Sequence, residues 1–226
     1  MRLPGVGVYD WSDRGDVVAA TPEPDVAEAA VHDTFRRCVL PMVLQTRGLQ
    51  VLHASAIVRP DGVVTLCARS RTGKSTLAFA LSRALDCAIW ADDAVAFEPG
   101  RDGGVSSVPV PFSLKLREPS AAHFGADGAG APREPPVTRP PLRALFILTR
   151  SESRKAPRVT RLASARAFTS LLEHAYCFDL EDAALRGRMV RDYLELAARV
   201  PAFELEFPSD FAALDRTVNE IAGALG

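Results

Sequence analysis

The sequence has no apolar run approaching the roughly 20 residues of a membrane-spanning helix, and its first residues lack a signal-peptide core. Both absences favour a cytoplasmic protein with no membrane partner. The formal net charge is −1, so there is no basic surplus of the kind that attracts nucleic acid. The four cysteines are scattered without a Cys-x-x-Cys pair, which indicates reduced thiols rather than zinc or disulfides. The length, 226 residues, suits one sizeable core.

What the sequence does contain is a nearly complete phosphate-loop motif. The apolar run 63–67 leads into a loop that ends in Gly-Lys-Ser-Thr and opens into a helical pattern. Ala68 stands where the pattern Gly-x-x-x-x-Gly-Lys-[Ser/Thr] has its first glycine. Backbone N–H groups of such a loop surround phosphates, the lysine reaches the terminal phosphates, and the next hydroxyl can ligate Mg²⁺. The predicted nucleotide-binding residues are Ala68, Arg69, Ser70, Arg71, Thr72, Gly73, Lys74, Ser75 and Thr76.

Three of these residues leave alternatives open. The methyl group of Ala68 would restrict the turn if a positive φ is needed there. Arg69 and Arg71 either add positive charge beside the phosphates or lie in solvent. A chance Gly-Lys-Ser at a helix start is the competing interpretation, but the strand–loop–helix context that the motif requires is present.

A pair of carboxylates, Asp92 and Asp93, ends the short apolar run after the predicted helix. Ligands of open α/β sheets bind at the carboxyl ends of strands, so the pair should face the same crevice as the loop. One carboxylate can hold Mg²⁺, directly or through water, while the other meets the acceptor hydroxyl and takes its proton. A turn made of two aspartates is the alternative. A Leu-Ser-Gly-Gly-Gln-like signature is absent, which argues against an ABC-type ATPase.

A histidine is predicted to lie beside the phosphate loop. Residues 59–62 read Arg-Pro-Asp-Gly, in which proline presets φ and glycine accepts a positive φ. Residues 51–58 are predicted to form a strand, and a regular hairpin around this turn pairs Val58 with Val63 and brings His53 opposite Ala68. His53 is therefore a candidate site residue, and a purely structural histidine at a strand edge is the alternative.

Hydrophobic periodicity predicts the remaining elements. Residues 25–47 have helical spacing that Pro41 divides into two helices. Residues 119–141, rich in Gly, Ala and Pro, are predicted to be a mobile loop or lid on the substrate side. Lys115 has either a phosphate or substrate role or a place on the solvent face of a strand. Further predicted strands are 6–9, 17–20, 105–110, 112–116, 142–148 (central), 157–162 and 203–207; further predicted helices are 164–176, 181–200 and one at the C-terminus.

The combined motifs resemble those of a known family. The residues that carry the resemblance are Leu52-His53-Ala54-Ser55-Ala56, the hairpin, the phosphate loop and Ala91-Asp92-Asp93. They are similar to the HPr kinase family, and more closely to short HPr-kinase-related serine kinases of bacteria, some encoded beside lasso-peptide maturation enzymes. The resemblance implies an α/β fold with a phosphate-loop core of the HPr kinase and phosphoenolpyruvate carboxykinase type, a mixed β-sheet flanked by helices. The predicted organisation is one domain, 1–226, with N-terminal strands and helices (1–48) packed on a kinase core (49–226).

The resemblance also implies roles for individual residues. Lys74 neutralises the β- and γ-phosphates of ATP, and Ser75 holds Mg²⁺. Asp92 resembles the general base that takes the proton of a target serine, and Asp93 resembles its metal-side partner. His53 resembles the active-site histidine that assists the carboxylate.

We therefore expect an ATP- and Mg²⁺-dependent kinase that phosphorylates a serine of a peptide or small protein, such as a lasso-type precursor. Two alternatives stay open. A small-molecule kinase would need a compact pocket beside Asp92. A nucleotide-binding regulator without turnover is suggested by Ala68, although the retention of Lys74, Ser75, both aspartates and His53 together argues against it. The acceptor, any activity toward HPr and a homo-oligomeric state are not settled by the sequence.

Overall fold

The structure is a computed structural model that describes residues 1–12, 17–100, 103–125, 138–177 and 181–226. Within these residues, twelve strands form one six-stranded and two three-stranded sheets. The strands are Arg2–Leu3 (β1), Gly7–Trp11 (β2), Val18–Pro22 (β3), Gln50–Leu52 (β4), Ala54–Arg59 (β5), Gly62–Cys67 (β6), Ala88–Ala91 (β7), Val95–Pro99 (β8), Val105–Val108 (β9), Leu142–Arg150 (β10), Arg158–Arg161 (β11) and Ala202–Phe207 (β12).

Seven α-helices accompany these strands in the described part of the chain. They are Glu28–Thr34 (α1), Leu40–Thr46 (α2), Lys74–Ala84 (α3), Glu118–Phe124 (α4), Ser164–Leu172 (α5), Ala183–Arg199 (α6) and Leu214–Leu225 (α7). A π-helical turn joins α1 to α2, and a 3₁₀ turn precedes α7. None of the described helices combines the length and apolarity that crossing a bilayer requires.

The six-stranded sheet is mixed and forms the centre of the molecule. Its strand order is β11-β12-β10-β6-β5-β7, with β10 parallel to both β6 and β12 and β5 antiparallel to β6 and β7. Apolar side chains of α3 and α7 form one cluster with sheet residues, and those of α5 and α6 form another. The predicted α/β class, a mixed sheet flanked by helices, is confirmed, as is the central position of the 142–148 strand.

The predicted hairpin register is present, but the strand leading into it is interrupted. Val58 pairs with Val63, and the pairing continues back to Ala54 opposite Cys67. The predicted continuous strand 51–58 is wrong, because β4 pairs with β8 in a separate sheet. His53 lies at the break, where its backbone N–H donates to the His174 carbonyl oxygen at 2.7 Å. This break leaves the His53 side chain at the end of the hairpin.

The N-terminal helical segment departs from its prediction. The division into two helices does not fall at Pro41, since the segment is π-helical over Phe35–Val39 and α-helical again from Leu40. Pro41 lacks an N–H donor and crowds the carbonyl of residue 37, which disfavours regular α-helical bonding just before it. The wider turn places an i→i−5 bond there, from the Leu40 N–H to the Phe35 carbonyl.

Two predictions between residues 105 and 141 also need correction. Residues 112–116 do not form a regular strand, because flanking prolines remove backbone donors and the Lys115 N–H points to a side chain instead. The predicted 119–141 loop begins with α4, which has Pro119 in its first turn and Gly125 in a left-handed conformation at its end. Residues 126–137 of that loop lie outside the described residues.

Candidate active site

The predicted phosphate-loop segment, residues 68–76, leaves the carboxyl end of β6 and runs into α3. Gly73, with φ 112°, immediately precedes the helix, and Arg71 is also left-handed with φ 69°. Ala68 is fully buried and has a negative φ. The alanine therefore causes no backbone strain at the position where the motif has its first glycine.

Lys74 is the buried cation of the site, with 6% of its surface exposed. Its Nζ lies 3.0 Å from both the Ala68 carbonyl oxygen and His53 Nε2, and 3.4 Å from the Arg69 carbonyl oxygen. These three partners match the three donors of an ammonium group. Burial lowers the pKa of Lys74, while the negative charges of Asp93 and Asp92 oppose the shift.

His53 connects Lys74 to the carboxylate turn. Its Nε2 faces the Lys74 ammonium, which can only donate, and its Nδ1 lies 3.1 Å from the Asp93 carbonyl oxygen, which can only accept. From these partners we infer that the imidazole ring is neutral and carries its proton on Nδ1. Burial, followed by the Lys74 charge, lowers the pKa of His53 and favours the same neutral form. The Tyr176 hydroxyl lies 3.3 Å from Nδ1 and 3.4 Å from the same carbonyl oxygen.

Asp92 is the buried carboxylate, with 8% of its surface exposed. Its Oδ1 accepts hydrogen bonds from Ser55 Oγ at 2.5 Å and from Ser75 Oγ at 2.8 Å. Its Oδ2 accepts from the backbone N–H of Lys115 at 3.4 Å. Burial raises the pKa of Asp92 and the Asp93 charge adds to the shift, while the two serine hydroxyls oppose it. The contact with Ser75 joins the carboxylate pair to the phosphate-loop segment.

Asp93 is more exposed and has a left-handed backbone, with φ 67°. The strand β7 has already ended at Ala91, so the two neighbouring carboxylates are released from strand alternation. Asp93 Oδ2 lies 3.7 Å from Arg37 Nε, and Arg37 also contacts Asp33 at 3.2 Å. Lys115 Nζ reaches the same Asp33 carboxylate at 2.7 Å. A half-exposed network of two cations and two carboxylates therefore borders this end of the site.

These groups line a cleft of about 690 Å³. Both aspartates line it, as do six of the nine predicted nucleotide-binding residues: Ser70, Arg71, Gly73, Lys74, Ser75 and Thr76. The other three predicted residues lie elsewhere. Ala68 is buried beneath the loop, the exposed Arg69 approaches Glu173 at 3.6 Å, and the Thr72 carbonyl oxygen accepts from Arg150 Nε at 2.7 Å. His53 is not among the lining residues and contacts the site through Lys74.

Several lining residues were not singled out by sequence reasoning. Arg37 comes from the π-helical turn, and its contact with Asp93 spans 56 positions of the chain. The far wall comes from residues 207–217, at the end of β12 and the start of α7. The local sequence did not indicate Arg37 or residues 207–217, because both reach the cleft only through the packing of elements far apart in the chain. Lys115 was singled out, and its backbone N–H contacts Asp92 at the cleft, while its exposed side chain reaches Asp33.

No family model matches the chain, and no curated protein matches it. Among solved structures, the chain is similar to the Hpr(Ser) kinase/phosphatase from Coxiella burnetii. The two share 13% sequence identity with a TM-score of 0.43, and the match covers 77% of this chain and 95% of that chain. A likeness this distant decides nothing about function, which has to follow from the chemistry of the cleft.

Proposed function

We propose that this protein is an ATP- and Mg²⁺-dependent kinase that transfers the γ-phosphoryl group to a serine hydroxyl of a peptide or small protein. The observation that carries the proposal is the 2.8 Å contact between Ser75, directly after the motif lysine, and the buried carboxylate of Asp92. A phosphate-binding segment and an acid–base group thereby occupy one end of one cleft, which is the arrangement that phosphoryl transfer needs.

The charge of the cleft supports a polyanionic ligand. Six cationic side chains and three carboxylates line it, although the whole chain has a net charge of −1. The cations are Arg37, Arg71, Lys74, Lys115, Arg117 and Arg150. Such a local excess of positive charge attracts a nucleoside triphosphate, whereas it would repel a cationic ligand.

The donor atoms at Ser75 and the aspartates suit Mg²⁺. They are hard oxygens, few in number, and Mg²⁺ is usually held by one or two carboxylates together with substrate phosphates and water. We propose that Ser75 and Asp93 hold the ion, with Asp92 beside them. When bound, the ion would neutralise charge that develops on the transferred phosphoryl group.

In the proposed mechanism, Asp92 orients the serine hydroxyl and accepts its proton while the serine oxygen forms a bond to the γ-phosphorus. The bond from that phosphorus to the β–γ bridging oxygen breaks, and ADP leaves. Burial raises the pKa of Asp92 above the ordinary aspartate value, which makes its ionised form a stronger base. Lys74 supplies positive charge to the terminal phosphates.

We propose that His53 is a positioning residue. Its contacts hold the Lys74 ammonium at one ring nitrogen and the Asp93 backbone at the other. The contact with Lys74 requires a neutral ring, because a protonated Nε2 could no longer accept from the ammonium. His53 would therefore act on transfer through the lysine and the carboxylate turn.

The half-exposed network of Arg37, Asp33 and Lys115 favours a peptide over a small enclosed acceptor. These side chains are 31–45% exposed where the cleft meets solvent beside Asp93. A peptide chain can approach the carboxylates across such an open border. The resemblance to short bacterial serine kinases puts a ribosomal precursor peptide first among the acceptors to be tested. Ala68, which suggests the regulator alternative, has a negative φ, so its methyl group causes no backbone strain in the loop.

Mass spectrometry of peptides incubated with the protein and Mg-ATP tests the proposal. We expect one added phosphate on a serine with the wild type, and a roughly 10²- to 10⁴-fold slower transfer with Asp92→Asn, because the general base is removed. Asp10→Asn, at an exposed position of β2, is the matched control and should transfer at the wild-type rate. Wild-type turnover by Asp92→Asn would contradict the base assignment. A phosphate added to a small hydroxyl compound, with none added to any peptide, would identify a small-molecule kinase.

A further inference from the structure

We propose that the far end of the cleft is a subsite for the purine nucleoside of the bound nucleotide; this inference rests on the proposed function. The subsite is the apolar wall that follows β12, and we call it the nucleoside wall. Its residues are Phe207, Pro208, Phe211 and Leu214. Nothing in the phosphate-loop motif specifies this wall.

The order of the strands determines which end of the cleft is left for the nucleoside. The phosphate-loop segment follows β6, which lies between β5 and β10. The β5–β7 side carries Asp92 and Asp93, where the acceptor must meet the terminal phosphate. The β10–β12 side carries the nucleoside wall. A nucleotide whose last phosphate faces the aspartates must therefore extend its nucleoside toward β10 and β12.

Arg150 lies between the phosphate-loop segment and the nucleoside wall. It is the last residue of β10 and lines the cleft, and its Nε donates to the Thr72 carbonyl oxygen at 2.7 Å. A Cβ atom placed on Gly73 would lie 3.3 Å from Arg150 Nη2, so the guanidinium lies against the start of α3. The phosphate-loop segment and the nucleoside wall are thus joined by one cation, which suits the phosphate nearest to a ribose.

The wall has the chemistry of a stacking surface. Phe207 and Leu214 are buried, while Pro208 and Phe211 are half-buried and line the cleft. Leu116 lines the same cleft and is contributed by the segment before α4. Aromatic rings and apolar side chains of this kind accept the face of a base, and such stacking tolerates different bases.

The wall is held rigid before any base is present. Phe211 stacks on His123 with ring centroids 4.6 Å apart and an interplanar angle of 18°. His123 meets Phe124 edge-on at 5.0 Å, and Phe124 contacts Phe79 of α3 at 4.8 Å. This chain of rings connects the wall to the helix that begins at Lys74. A preorganised surface loses little conformational entropy on binding.

Hydrogen-bonding groups at this end are few and partly committed. The Thr217 hydroxyl donates to the Ala213 carbonyl oxygen at 2.8 Å, and Asp210 Oδ1 accepts from the Ala212 N–H at 2.9 Å. Stacking should therefore dominate over base-edge recognition. We expect ATP and GTP to bind with similar affinity, and both to bind more tightly than CTP or UTP, because a purine stacks with a larger area.

The test compares the affinities of Mg-ATP and inorganic tripolyphosphate by calorimetry with the full chain. Phe211→Ala should weaken Mg-ATP by roughly tenfold and leave tripolyphosphate unchanged, because only ATP has a base to stack. Phe211→Leu keeps apolar volume without a ring and should show the same selective loss, with a thermal unfolding midpoint near that of the wild type. Phe168→Ala, a half-buried phenylalanine on α5 packed against the opposite cluster, is the matched control.

Each other outcome overturns the subsite. An unchanged affinity of Phe211→Ala for Mg-ATP would place the base elsewhere. Equal losses for both ligands would show that the wall acts only through the loop. If tripolyphosphate binds to the wild type and is lost in Lys74→Met, the proposed phosphate site stands even where the subsite fails. If neither ligand binds to the wild type, the proposed function fails and the subsite fails with it.

Discussion

At the scale of a single residue, the burial that suits Asp92 to its proposed role as a base lowers the stability of the folded chain. It is a nearly buried carboxylate that two serine hydroxyls contact through one oxygen. Burial raises its pKa, so its ionised form is less favourable in the folded chain than in the unfolded chain. The folded protein therefore loses stability as the pH rises through the raised pKa, and regains it as the pH falls. A general base with a raised pKa carries this cost.

We predict that Asp92→Asn raises the thermal unfolding midpoint at pH 7. The amide keeps an oxygen that can accept from Ser55 and Ser75, and it removes a buried negative charge. The gain should shrink as the pH is lowered, because the wild-type carboxylate then becomes protonated as well. Calorimetric melts of both proteins between pH 7 and pH 4 check this.

The same pair of melts can contradict the account. A lower midpoint for Asp92→Asn at pH 7 would mean that the ionised carboxylate stabilises the fold, as in a structural turn. Asp10→Asn, exposed on β2, should have the same thermal unfolding midpoint as the wild type at every pH.

At the scale of an element, the conformation of the phosphate-loop segment depends on Gly73 rather than on Ala68. Gly73 has a φ that L-residues rarely adopt, whereas Ala68 does not. Arg71 is the other left-handed position in this segment, at φ 69°. We therefore expect the first glycine of the motif to be dispensable here, and the last one to be needed.

We predict opposite outcomes for two single-methyl changes in this segment. Gly73→Ala should weaken Mg-ATP binding by at least about fivefold, since a non-glycine residue in a sparsely populated conformation costs roughly 1–3 kcal/mol. Ala68→Gly should leave the affinity within about twofold, because no strain is present to be relieved. Titration of both variants with Mg-ATP measures this. A large gain in affinity for Ala68→Gly would show that the methyl group impairs the loop.

Sequence reasoning succeeded where the determinant was local. The Arg-Pro-Asp-Gly turn set the pairing of Val58 with Val63, and that pairing brought His53 within 3.0 Å of Lys74. It failed where tertiary packing decided. The π-helical turn over Phe35–Val39 and the irregular 112–116 segment follow from how prolines and distant partners compete for backbone groups. The sequence does contain local signals for α4, with Pro119 at its start and Gly125 at its end.

The composition of the candidate site divides in the same way. The loop and the aspartates belong to recognisable sequence patterns, and His53 is placed by the Arg-Pro-Asp-Gly turn, so all of them could be predicted from the sequence. Arg37 and the nucleoside wall could not, because both are brought to the cleft by contacts between elements far apart in the chain.

At the scale of the whole molecule, Phe35 links the N-terminal strands and helices to the rest of the chain. It packs against the cluster of Tyr9, Val31 and Val39, and also against the cluster that contains Val51 and Val108. The two tryptophans report on different parts, because Trp11 packs in the N-terminal cluster and Trp90 in the central core. The predicted single domain, 1–226, can therefore be tested directly.

We predict that the chain unfolds in one cooperative transition. In variants that keep only Trp11 or only Trp90, made by a Trp→Phe change at the other position, the urea midpoint by fluorescence should coincide with the midpoint by circular dichroism of the same variant. Phe35→Ala should lower the Trp11 midpoint below that of Trp90, because it weakens the shared packing. An earlier Trp11 transition in the chain with Phe35 intact would instead define residues 1–48 as a separate folding unit.

The most direct test of the account is the affinity of the whole chain for Mg-ATP with and without the buried lysine. Lys74→Met keeps the length of the side chain and removes the charge that is proposed to reach the terminal phosphates. We predict that it weakens Mg-ATP by about 10- to 100-fold, the range expected for loss of a hydrogen bond to a charged group. Lys155→Met, at an exposed position outside the cleft, should bind as the wild type does. Equal affinities of Lys74→Met and the wild type, or a wild type that does not bind Mg-ATP, would contradict the nucleotide site and the kinase built on it.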